Sequence, residues 1–137
     1  RYLAAKHGKL EPTDLRARAQ AQKWMDWQLA VASPAIFPLF WGLVRTPPEK
    51  RDPAAIAASR DKIGEALGIM EAQLAKTKWL GGDEFSYGDI PIGPIVHRYF
   101  FLVQPADRPD LKNVERWYAA ALARPGYKLN IADVPVT

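Results

Sequence analysis

Cysteine is absent from this 137-residue sequence. No disulfide, thiolate metal site or cysteine nucleophile can be built from it, and a reducing compartment suits it. Histidine is nearly absent too. The two present, His7 and His97, have no acidic or hydroxyl partners at a spacing that suits metal ligation or triad chemistry, so no metal site is expected. Charge of one sign is nowhere concentrated. The 19 Lys and Arg stand against 15 Asp and Glu, a net charge of +4, and they sit side by side, as in Glu49-Lys50-Arg51-Asp52. This is a solvated, mildly basic surface, without the basic stripe of a nucleic-acid binder. No run of roughly eighteen apolar residues occurs, so no membrane span is expected. No charged start followed by an apolar core opens the chain, so no signal peptide is expected either.

What is present suits one folded domain. Apolar residues make up 48% and charged residues 25%, a globular balance, and the length fits one core. Period-two alternation is scarce, whereas apolar residues recur at three and four steps along segments rich in Ala, Leu, Lys, Arg, Glu and Gln. The fold class is all-α, a helical bundle. A first long helix is expected from Thr13 as cap to Arg45, before Thr46-Pro47-Pro48, with Trp24, Trp27, Val31 and Ala35 on one face. Pro34 and Pro38 inside it predict a kink or break. Asp52 as cap and Pro53 at the first helical position open a second helix. Its buried face is Ile56, Ile63, Leu67, Met70 and Leu74, and it fades near Lys76. A loop with a Gly81-Gly82 turn leads to a third, very apolar helix opening at Ser86. A fourth carries Val114, Trp117, Tyr118, Ala121 and Leu122, broken at Arg124-Pro125-Gly126 and followed by a short turn or helix and an irregular tail. Trp79 and Trp117 read as core anchors, and Tyr87 and Tyr99 as local hydrogen-bond donors.

Phe85-Ser86-Tyr87-Gly88-Asp89-Ile90 combines two devices. Ser86 can accept from the Asp89 amide while the Asp89 carboxylate reaches back to the Ser86 amide, a capping box with Asp in place of Glu. Phe85 and Ile90 are spaced for a hydrophobic staple across it. These four residues are assigned a structural role.

This box, following Trp79-Leu80-Gly81-Gly82-Asp83, resembles the start of a central helix in the C-terminal helical domain of the soluble glutathione transferases. Arg1-Tyr2-Leu3-Ala4-Ala5-Lys6-His7-Gly8 is similar to the end of the last helix of that family's thioredoxin-like domain. Lys23-Trp24-Met25-Asp26-Trp27 and Leu43-Val44-Arg45-Thr46-Pro47-Pro48-Glu49 resemble a bacterial branch of the family. Val114-Glu115-Arg116-Trp117-Tyr118 with Ala123-Arg124-Pro125-Gly126 resembles its late helix. The likeness covers nearly the whole chain in order.

The resemblance implies a remnant of a thioredoxin-like domain over residues 1–8 and a helical domain over 9–137. It implies a cytoplasmic homodimeric detoxification enzyme in which the thiolate of glutathione, the co-substrate, attacks a hydrophobic or halogenated electrophile. Glutathione and the residue that stabilises its thiolate belong to the thioredoxin-like domain, so no catalytic residue and no bound cofactor is assigned to this chain, and alone it is expected to be inactive. The helical domain contributes electrophile-pocket walls, and the candidates are Phe37, Phe40 and Trp41 around the two prolines. Each, taken singly, also reads as ordinary core packing. Arg45 reads equally as an anchor for an anionic substrate or as a solvated cation at a helix end. The alternative for the whole is a non-catalytic interaction module on the same fold.

Overall fold

In the computed structural model, which describes residues 1–137, helices are joined by turns, with one isolated pairing between Trp79 and Gly82 in place of a sheet. A short α1 (Tyr2–His7) stops at Gly8, whose φ of 61° is the left-handed conformation that favours glycine. The first long helix starts one residue later than the sequence predicts. Asp14, not Thr13, is the N-cap, and its carboxylate accepts from the Ala17 amide at 2.9 Å. α2 (Leu15–Trp27) then passes through a π segment (Gln28–Ala32), α3 (Ser33–Phe40) and a second π segment (Trp41–Arg45).

The expected break at the prolines does not occur; the helical stretch Leu15–Arg45 is continuous over 31 residues. Pro34 falls in the first turn of α3, directly after the wider π turn in which the Ser33 amide reaches back to the Gln28 carbonyl. Pro38 is the one inside α3, where its ring spreads the hydrogen-bond ladder. Ser59 of the next helix fills the opening. Its hydroxyl accepts from the Leu39 amide at 2.9 Å and donates to the Ala35 carbonyl at 2.6 Å, the pair that a regular helical bond would join.

The π turn also corrects the predicted buried face. It holds one residue more than an α turn, so the stripe that should reach Val31 from Trp24 arrives at Ala32. Ala32 is fully buried and Val31 is 37% exposed. The stripe continues through Ala35, Ile36 and Leu39, which pack along α4. By length and composition this stretch, with a window of mean hydropathy 1.4, would suffice to cross a membrane, contrary to the sequence expectation. Its buried stripe and the Ser59 bridge instead make it one wall of the bundle core.

α4 (Pro53–Leu74) starts as predicted, with the Asp52 carboxylate accepting from the amides of Ala54 and Ala55. Ile63, Leu67, Met70 and Leu74 are buried, with Ile56 half-buried at the edge. α6 (Lys112–Leu122) has no cap of its own. Glu71 of α4 supplies one, its carboxylate accepting from the Asn113 amide at 3.0 Å and the Val114 amide at 2.9 Å. Arg116 of α6 returns the contact by donating to the Leu74 carbonyl at 2.8 Å, at the C-terminus of α4. Each charge thereby meets the helix end of opposite dipole sign.

α5 (Gly93–Leu102) lies between α3 and α6. Only Gly is compatible with its first position, because a Cβ on Gly93 would stand 1.9 Å from the Tyr127 hydroxyl. Tyr127 ends α7 (Pro125–Tyr127), and a last π segment (Lys128–Ala132) precedes an irregular tail. Trp117 and Trp24 are the largest fully buried side chains of one continuous core.

The capping turn and the candidate electrophile wall

Two places concentrate polar chemistry, and they are different in kind. The first is the turn before α5. The structure moves the predicted helix start: residues 87–92 form successive turns, and regular helix begins only at Gly93. Half of the predicted box is present, with the Ser86 amide donating to Asp89 Oδ2 at 3.0 Å. The other half is replaced, since the Ser86 hydroxyl accepts from the Gly88 amide at 3.2 Å rather than from Asp89. A tighter turn brings Gly88 against α2; a Cβ there would lie 2.8 Å from Ala21 Cα.

Asp89 does more than close a turn. Its Oδ1 accepts from the Leu80 amide at 2.9 Å and from Trp117 Nε1 at 2.8 Å. One fully buried carboxylate thus ties the 79–82 loop, the pre-α5 turn and α6 together. Burial pushes its pKa above the ordinary value, and the hydrogen bonds from Leu80, Ser86 and Trp117 pull it partly back. The two residues of the predicted staple have different surroundings. Phe85 packs edge-on to Trp79, with ring centroids 5.0 Å apart, while Ile90 is 41% exposed. Both border an open hollow of about 590 Å³. Tyr87 and Tyr99 are buried, yet neither hydroxyl has a partner; packing holds them, not the predicted hydrogen bonds.

The second place is the outer side of α3. Phe37 and Trp41, one helical turn apart, stack at 5.4 Å with an interplanar angle of 23°. They are 56% and 51% exposed, so they are not core residues. Phe40 is half-buried and lies under the Arg98 guanidinium, 4.6 Å from its ring centroid. Phe37, Phe40 and Arg98 line a hollow of about 280 Å³ between α3 and α5, into which the hydrogen-bonded pair Gln28 and Ser33 also faces. Arg45 does not join them. Its Nη2 donates to the Thr137 carbonyl at 2.8 Å on the surface, holding the tail.

Sequence reasoning missed Arg98. The available signal was one arginine on an otherwise apolar helix. His97 beside it is half-buried, with Nδ1 2.5 Å from the Tyr118 hydroxyl. Burial, and then the charge of Arg98, lower its pKa. No group of His, Asp or Glu is placed to hold a metal ion.

A long helix that carries an exposed aromatic pair and packs on α4 and α5, with α6 tied to the pre-α5 turn by a buried Asp, makes an all-α bundle of the glutathione transferase C-terminal type. The family model described as "Glutathione S-transferase, C-terminal domain" matches residues 53–120. Glutathione S-transferase GstB of Escherichia coli K12 is 41% identical over all of this chain, which spans 65% of that protein. The apo structure of the theta class glutathione S-transferase from Xanthomonas axonopodis pv. citri superposes with a TM-score of 0.92 at 38% identity, covering 100% of this chain and 71% of that one. The glutathione-bound structure of the Xanthomonas protein matches with the same TM-score of 0.92. The chain belongs to the glutathione S-transferase family, and it spans about two-thirds of the length of the relatives it matches.

Proposed function

We propose that this chain is the helical part of a glutathione-dependent transferase, and that the outer side of α3 forms the wall against which an electrophile lies. The carrying observation is the stacked, exposed Phe37–Trp41 pair beside an aromatic-lined hollow. Large aromatics left in water at half their surface favour a ligand or a neighbouring domain as cover. The chemistry is attack by the glutathione thiolate, whose pKa must be lowered by residues outside this chain. Residues 1–8 as a remnant of a thioredoxin-like domain agree with α1, which buries none of its own residues. A cytoplasmic homodimer is part of the same reading; exposed apolar residues such as Leu15 and Leu29 on the long helical stretch support the dimer alone.

The test compares the whole protein with the 137-residue chain for conjugation of glutathione to an aromatic halide. The whole protein should turn over and the chain alone should not. Replacing both Phe37 and Trp41 with Ala in the whole protein should raise KM for the halide while leaving KM for glutathione in place. Turnover by the chain alone would refute this division of labour. Absence of turnover by the whole protein would favour an interaction module.

A further inference from the structure

Arginines in this fold have assigned work. Arg51 donates to the Leu43 carbonyl at 2.8 Å and Arg108 to the Phe100 carbonyl at 2.6 Å, each closing the C-terminus of a helix. Arg18 donates to the Pro12 carbonyl, and Arg60 pairs with Asp61 at 3.0 Å. Of the half-buried arginines, Arg98 alone makes no hydrogen bond and has no carboxylate within 4.0 Å. Its guanidinium keeps only the face of Phe40. It also stands on a divide, lining the aromatic hollow on one side and, with Val134 and Pro135 of the tail, a smaller hollow on the other.

A partly desolvated cation with five N–H donors and no acceptor is an incomplete arrangement. The contact with the Phe40 ring, 4.6 Å to its centroid, uses no N–H···acceptor bond and leaves the donors without a protein acceptor. An anion in the hollow would receive two parallel N–H bonds from the guanidinium, while an aromatic ring attached to it would meet Phe37.

We infer that Arg98 is a specificity-determining residue that selects aromatic electrophiles carrying a carboxylate or sulfonate, and this rests on the α3 side being the electrophile wall. In the reaction, a sulfur–carbon bond forms as the carbon–halogen bond breaks, and the halide leaves with the bonding pair. The substrate's own anionic group is unchanged throughout; Arg98 holds it and takes no part in the bond exchange.

The experiment titrates the full chain with two fluorescent probes that share one arylamine frame. These are 1-anilinonaphthalene-8-sulfonate and the uncharged N-phenyl-1-naphthylamine. The wild-type chain should bind the sulfonate more tightly by about tenfold at low salt, with the preference falling as salt is added. Arg98→Met should abolish the preference by weakening the sulfonate alone. Arg98→Lys should restore part of it, and Phe37→Ala should weaken both probes alike. Equal binding of the two probes by the wild type, or an equal loss of both in Arg98→Met with far-UV circular dichroism unchanged, overturns the inference. An anion preference that depends on Arg98, in a protein that conjugates nothing, sustains the inference about Arg98 and removes only the transferase reading.

Discussion

Asp89→Ala and Asp89→Asn should separate two things that one carboxylate does. In the alanine variant four buried donors lose their acceptor: the Leu80 amide, the Ser86 amide and hydroxyl, and Trp117 Nε1. Each orphaned donor costs about 1–3 kcal/mol, reduced where water enters or the backbone relaxes. A net loss of roughly 3–6 kcal/mol is expected, most of the stability of a domain this size. Asparagine should be milder, because Leu80 and Trp117 both donate to Oδ1, and an amide oxygen can accept both. The amide NH2 then takes the place of Oδ2 and faces the Ser86 N–H, donor against donor, for a loss of roughly 1–3 kcal/mol. Urea unfolding followed by tryptophan fluorescence gives the ranking. Exchange of the Trp117 indole proton gives the mechanism, and it should remain slow in Asp89→Asn. Equal costs for the two variants, or an alanine cost below about 1 kcal/mol, would refute the division between the oxygens. The pH dependence has a fixed sign. Burial raises the folded-state pKa of Asp89, so the folded chain binds more protons than the unfolded one above the ordinary value. This contribution to stability is full below that value and is lost as pH rises through the raised one. Asp89→Asn should lack that slope.

Two further substitutions test the long helix and the tail. Ser59→Ala removes the hydroxyl bridging Leu39 and Ala35 and should cost about 1–2 kcal/mol, with faster hydrogen exchange at the Leu39 amide; unchanged exchange would show that the bridge is not needed. Arg45→Ala should cost less than about 1 kcal/mol in stability, because its contact with Thr137 is exposed. It should leave KM for carboxylate-bearing electrophiles in the whole protein unchanged, and a raised KM would return Arg45 to the electrophile wall.

Much of the fold was readable wherever a signal is local. Asp52 before Pro53 marks a helix start, Thr46-Pro47-Pro48 marks a stop, and Ile63, Leu67, Met70 and Leu74 share one face at helical spacing; all are found in place. The failures come where the partner is distant in sequence. Nothing near Leu111 announces that Glu71 caps α6, a contact spanning 42 residues. Nothing near Pro38 announces Ser59, twenty positions on from Leu39. Capping-box logic found Asp89 correctly but assigned it one helix, because its bond to Trp117 across 28 residues is invisible to local spacing. At the candidate wall, aromatic side chains were legible as residue types. The unpaired state of Arg98 was not, since it depends on which carboxylates the fold keeps away.

The π turn at Gln28–Ala32 makes the aromatic wall a matter of angular phase. Each residue advances a helix by about 100°, so deleting one residue from this turn would swing Phe37 and Trp41 a quarter-turn or more relative to Trp24. The stacked pair would then face the bundle, and a different set of side chains would face the hollow. Positions that meet a ligand in two relatives therefore correspond only if both helices carry the same turn. Counting residues from the Asp14 cap to match a relative without it assigns every later position to the wrong side of the helix.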